Sequence, residues 1–197
     1  MTRFLQAGCL LFALVSTACF GAADPKVIAT CDACHGTNGV TSSQEAPSLA
    51  GVSTPVTSGS LKGYKTKARP CPDVTIGTTK GDMCAKAKDL SDSAINDLAD
   101  HYSKQKFAPM KQPFDAGKAA SGKALFDKGC KKCHSSGGKD PADDAGILAG
   151  QPLGWLKTSL NWFRKGEIEQ DKKMKDALAP LSDGDIEALA NYLASQQ

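Results

Sequence analysis

Four things are scarce in this chain of 197 residues. The first is charge imbalance. Twenty-four Lys and Arg against 21 Asp and Glu leave a formal +3, too little to draw the protein to nucleic acid or to an anionic membrane. Apolar runs are the second: beyond residue 23 no stretch approaches the ~20 apolar residues of a membrane helix. The alternating pattern of half-buried strands is the third, and without it neither a β-rich fold nor a βαβ unit is expected. Histidine is the fourth. The chain has three, His35, His101 and His134, too few for more than one site with two imidazole ligands.

One apolar stretch does exist, at the start. Arg3 is the only charge before Asp24. The core Leu10-Leu11-Phe12-Ala13-Leu14-Val15 follows, and small residues lead to Gly21-Ala22-Ala23. This is the order of a secretory signal peptide, expected over residues 1–23. The core is too short and interrupted to suit an uncleaved anchor, and Cys19 fits a lipoprotein site poorly. Loss of Arg3 takes the formal charge from +3 to +2. The expected mature protein is exported to the periplasm, with no membrane span.

Two of the eight cysteines, Cys9 and Cys19, leave with that segment. Four of the other six form Cys31-Asp32-Ala33-Cys34-His35 and Cys130-Lys131-Lys132-Cys133-His134. This is C-x-x-C-H, the attachment motif of c-type haem. The two thiols add across the haem vinyl groups, and the adjacent histidine reaches the iron from the same side. Zinc would not require a histidine fixed at the next position, and a thioredoxin-like motif needs a βαβ setting. Two copies behind an export signal point to two covalently bound haem c groups, on Cys31, Cys34, Cys130 and Cys133.

The motifs are 99 residues apart, and Leu49-Ala50-Gly51 returns at the same interval as Leu148-Ala149-Gly150. Further on, the stretch beginning at Leu90 returns 91 residues later at Leu181, so the first copy carries eight extra residues. A tandem duplication follows. Ile95, Leu98, Ala99 and Tyr102, like Ile186, Leu189, Ala190 and Leu193, sit at i, i+3, i+4, i+7 of an amphipathic helix. Ser91 and Ser182 are natural N-caps, each followed by an aspartate. Residues 120–133 are expected to form a helix leading into the second motif. The fold class is therefore all-α, in two tandem units: 24–108, a proline-marked linker over 109–116, and 117–197.

These features together resemble class I cytochromes c in tandem, small helical domains each wrapped around a covalent haem. The resemblance covers the whole mature chain and implies axial ligation by His35 and His134. Each iron then has a sixth ligand to find. His101 aligns with Tyr192 and reads as an ordinary helix residue. Met83 and Met174 lie 91 residues apart, each seven residues before the Leu-Ser-Asp of the last helix, where the family places its ligand. Histidine with methionine suits a low-spin electron-transfer haem of raised potential. Met110 has no counterpart in the second copy. The family also bonds the histidine's other N–H to a backbone carbonyl, a role open to Ala46-Pro47-Ser48 and Ala145-Gly146-Ile147. Arg69, Arg164, Trp155, Trp162 and Tyr64 could touch haem edges or simply pack.

Cys71 and Cys84 are left over. In an oxidising compartment they read as a disulfide that pins the Met83 loop, with a redox-active pair as the alternative. From Lys111 onward, runs such as Lys111-Gln112-Pro113-Phe114-Asp115, Ile147-Leu148-Ala149-Gly150-Gln151 and Lys172-Lys173-Met174 resemble the dihaem subunit of flavocytochrome c sulfide dehydrogenase. That resemblance implies an FAD-containing sulfide dehydrogenase subunit as donor, periplasmic cytochromes as acceptors, and no catalytic site in this chain. A free-standing dihaem carrier would use the same residues, and a catalytic cytochrome would need an open iron site.

Overall fold

The computed structural model describes residues 22–197. The expected signal peptide lies outside the described residues except for Ala22 and Ala23. The first half holds α1 (Pro25–His35), α2 (Thr54–Lys65), α3 (Met83–Ala87) and α4 (Asp92–Ser103). The second holds α5 (Ala116–Gly129), α6 (Leu153–Lys165), α7 (Lys172–Leu178) and α8 (Asp183–Ala194). The fold is all-α, apart from one short hairpin. Strands β1 (Val74–Ile76) and β2 (Thr79–Gly81) pair antiparallel, with Thr75 opposite Lys80. No alternating pattern announced the hairpin, because each strand is three residues long. The turn between them uses Gly77 at positive φ, the geometry short hairpins need.

The closing helices form for the reasons their sequences suggest. Ser91 Oγ accepts from Ala94 N at 3.1 Å, and Ser182 with Asp185 completes a reciprocal capping box. Each cap satisfies backbone donors that the first turn leaves unpaired. The stripes Ile95, Leu98, Ala99, Tyr102 and Ile186, Leu189, Ala190, Leu193 are all buried. In each half the closing helix packs on a middle helix, α4 on α2 and α8 on α6.

The largest helix contact is α5 against α8. Gly122 makes this crossing possible: a Cβ there would lie 2.0 Å from the Ala188 carbonyl oxygen. Phe126, 2 % exposed, packs its ring 5.2 Å from that of Tyr192 and anchors the cluster with Leu156, Leu189 and Leu193. In the first half α1 makes no comparable crossing with α4. Its tie is a hydrogen bond, from Tyr102 Oη to Asp32 Oδ1 at 2.9 Å.

The helix expected over residues 120–133 runs instead from Ala116 to Gly129. Cys130 N and Lys131 N both donate to the Phe126 carbonyl, at 2.8 and 3.1 Å. That convergence ends the regular ladder just after Gly129, a poor helix former. The first C-x-x-C-H therefore lies within α1, whereas Cys130–His134 lies in the turns that follow α5.

Candidate haem sites

In α1, Cys31, Cys34 and His35 occupy the last helical turn. The chain leaves the helix through Gly36, whose φ of 78° suits glycine. His35 is 6 % exposed, and its Nδ1 lies 2.8 Å from the Pro47 carbonyl oxygen. Burial holds this imidazole below its ordinary pKa, so the ring is neutral. A neutral ring bonded to a carbonyl carries its proton on Nδ1 and leaves the Nε2 lone pair for a metal. Cys31 and Cys34 are unpaired, and burial pushes the Cys31 thiol above its ordinary pKa. Two thiols and a bare imidazole nitrogen on one turn fit a haem joined by thioether bonds.

In the second half, Cys130 and Cys133 are likewise unpaired, and burial raises the Cys130 thiol. Burial also lowers the His134 imidazole. Its Nδ1, however, is buried without a partner, so the bond expected from the Ala145-Gly146-Ile147 stretch is not made. The motif there follows the helix end, and its loop is held by other contacts. Ser135 N and Oγ both donate to Asp143, at 2.6 and 2.9 Å.

The repeated Leu-Ala-Gly is a backbone clasp in both halves. Leu49 N and Ala50 N donate to Gly39 O, and Gly51 N donates to Tyr102 O at 2.9 Å. In the same way Leu148 N and Ala149 N donate to Gly138 O, and Gly150 N donates to Leu193 O at 2.8 Å. Each clasp ties the loop behind the motif to the closing helix. Gly39 and Gly138 sit at φ of 73° and 83°, a region costly for residues with a Cβ.

Met83 opens α3 and Met174 lies in the first turn of α7, and both are half-buried. Asp82 caps α3 by accepting from Ala85 N at 2.8 Å, and α3 packs on α2. Cys84, the residue after Met83, forms a disulfide with Cys71, Cα atoms 5.7 Å apart, closing the loop that contains the hairpin. Met110 lies elsewhere, at the junction of the halves. Its N donates to Gly150 O, and its Sδ lies 3.5 Å from Gln44 Nε2. His101 stays in α4 with its ring edge-on to Tyr102, its Nε2 buried and unpartnered.

The aromatic and arginine candidates divide. Arg164 donates to Leu181 O at 2.8 Å and pairs with Asp183, a packing role. Trp155 packs against the Phe126 cluster. Arg69 lies over Tyr64, at 5.1 Å, and over Phe163 of the other half, at 5.9 Å. Sequence reading missed the glutamines that join the halves. Gln44, Gln112 and Gln151 lie far apart in sequence and have no motif of their own. The available signals were that Gln112 and Gln151 stand in runs that carry the family resemblance, and that Gln151 follows Leu-Ala-Gly where the first copy has Val52.

A cytochrome c family profile matches residues 119–197. Cytochrome c4 of Stutzerimonas stutzeri is 31% identical over 179 residues, spanning 84% of this chain and 84% of that protein. The thiosulfate dehydrogenase electron acceptor of Thiomonas intermedia is 28% identical over 187 residues, 89% of this chain and 82% of the relative. The crystal structure of reduced recombinant cytochrome c4 from Pseudomonas stutzeri matches with a TM-score of 0.71 at 28% identity, covering 89% of this chain and all of that one. The chain belongs to the cytochrome c4 family, dihaem class I cytochromes c that carry electrons on two covalently attached haem c groups.

Proposed function

We propose that this protein is an exported periplasmic carrier that takes electrons from a dehydrogenase acting on a sulfur compound and passes them to other cytochromes. Residues 24–108 and 117–197 form its two haem domains, joined by the linker 109–116. Cys31 and Cys34 hold one haem and Cys130 and Cys133 the other. His35 with Met83, and His134 with Met174, supply the axial ligands. Bound haem supplies reversible one-electron chemistry at iron.

The observation that carries the reading is the His35 ring, buried, neutral and held by Pro47 so that only Nε2 is free. Pro47 fixes the ring orientation, and burial shields the ring from water. Methionine at the remaining position would leave no open site for small-molecule catalysis. The disulfide stiffens the chain beside Met83. Its test is the near-infrared band of methionine bound to ferric iron, which should fall by about half in Met83→Ala and again in Met174→Ala. An unchanged band in either variant removes that methionine from the site.

Support for a sulfur-compound donor comes from the Thiomonas relative, whose name states that role for that protein. A second reading, an FAD-containing sulfide dehydrogenase subunit as donor, rests on the resemblance from Lys111 onward. Gentle purification from the native source distinguishes the two. A copurifying flavoprotein and haem reduction on adding sulfide favour the FAD subunit. Reduction by thiosulfate with a flavin-free partner favours the first reading. Reduction by neither, from a lone chain, overturns both.

A further inference from the structure

The two halves meet through a buried cluster of hydrogen bonds beside one of the two motif histidines. Gln151, in the second half, is 1 % exposed. Ser48 N donates to its Oε1 at 2.8 Å, and its Nε2 donates to Ser48 O at 3.0 Å. The amide thus both accepts from and donates to the backbone of one residue, 103 positions away. Ser48 directly follows Pro47, whose carbonyl accepts from His35 Nδ1.

We propose that Gln151 is a positioning residue for His35, through which the second half sets the axial-ligand hydrogen bond of the first. Both backbone polar groups of Ser48 are fixed, so the Pro47–Ser48 peptide cannot rotate and the Pro47 oxygen stays aimed at Nδ1. Gln151 is itself braced. Its carbonyl accepts from Gln112 Nε2 at 2.8 Å, while Gln112 Oε1 accepts from Leu153 N and Gln44 Nε2.

The device is one-way. At the repeat interval, the counterparts of Ser48 and Gln151 are Ile147 and Val52, and Val52 has no side-chain amide with which to hold the Ile147 backbone. His134 Nδ1, the matching nitrogen, has no partner. A histidine that donates from Nδ1 is a more basic ligand and stabilises ferric iron. Holding that bond therefore lowers the potential of the first haem, and slackening it raises that potential.

The inference rests on His35 being the axial ligand. That is checked separately in His35→Ala, where one of the two haems should lose its low-spin spectrum; if neither does, the ligand reading fails. The positioning role is tested in the haem-loaded protein with Gln151→Met, which keeps the volume and removes both bonds. An NMR-monitored redox titration should show the first haem's midpoint moving up and the second's unmoved, and the His35 ring N–H should exchange faster. Gln44→Met breaks other bonds between the halves, those to Gly154 N and Gln112 Oε1, without touching Ser48 or Gln151, and should leave both midpoints in place. Equal movement of both haems, no movement in Gln151→Met, or the same shift in Gln44→Met overturns the proposal. Should Gln151→Met fail to fold, hydrogen exchange of the unmutated protein decides. Ser48 N–H and the His35 ring N–H should be protected together, and a freely exchanging Ser48 amide would end the idea.

Discussion

The two halves share a plan but are held together differently. The second is built around a long helix, α5, that crosses α8 at Gly122 and buries Phe126. The first has α1 beginning only at Pro25, so the position equivalent to Gly122 precedes the helix. It relies instead on the Tyr102–Asp32 hydrogen bond, a disulfide beside Met83 and the clamp from Gln151. Duplicated units can thus keep the same cofactor chemistry while replacing apolar packing by polar and covalent ties.

The largest effect expected from breaking this comparison is on cofactor content. Cys130→Ser with Cys133→Ser should lower pyridine-haemochrome content from two haems per chain to one, with the first half's spectrum retained. Next comes the core. Phe126→Ala should cost about 3–5 kcal/mol in denaturant unfolding, whereas Val27→Ala, at the equivalent half-buried position of α1, should cost much less. Equal losses would show that α1 carries a core that its contacts do not reveal.

The covalent tie should matter only to the first half. Cys71→Ser with Cys84→Ser is expected to cost about 3 kcal/mol by the loop-closure argument, with the loss of methionine ligation on heating coming earlier at Met83 than at Met174. Simultaneous loss at both irons would mean that the disulfide supports the whole chain. The smallest effect is expected from Tyr102→Phe. Removing a hydrogen bond to a carboxylate costs about 1.5–3 kcal/mol when the partner is left buried, and less here, where Asp32 reaches solvent. A thermal melt that resolves the two haem bands should show this loss in the first half alone.

Much of this was legible in order along the chain. The C-x-x-C-H motifs, the repeat, the caps at Ser91 and Ser182 and the apolar stripes of the closing helices are local patterns, and local patterns are written in sequence. Residues 74–81 were not read as a hairpin because three-residue strands have no periodicity to detect. The end of α5 at Gly129 was missed because apolar spacing continues past the point where the backbone ladder stops.

What the sequence by itself determined is the chemistry: which thiols, imidazoles and thioethers are available and how far apart they stand in each copy. Only the tertiary structure decided how those groups are supported. It gave His35 a carbonyl partner and left His134 Nδ1 without one, and it brought Gln151 onto the backbone of Ser48. The physical reason is that a ligand type is a property of one residue, whereas a hydrogen bond across 103 positions exists only once the two halves have packed.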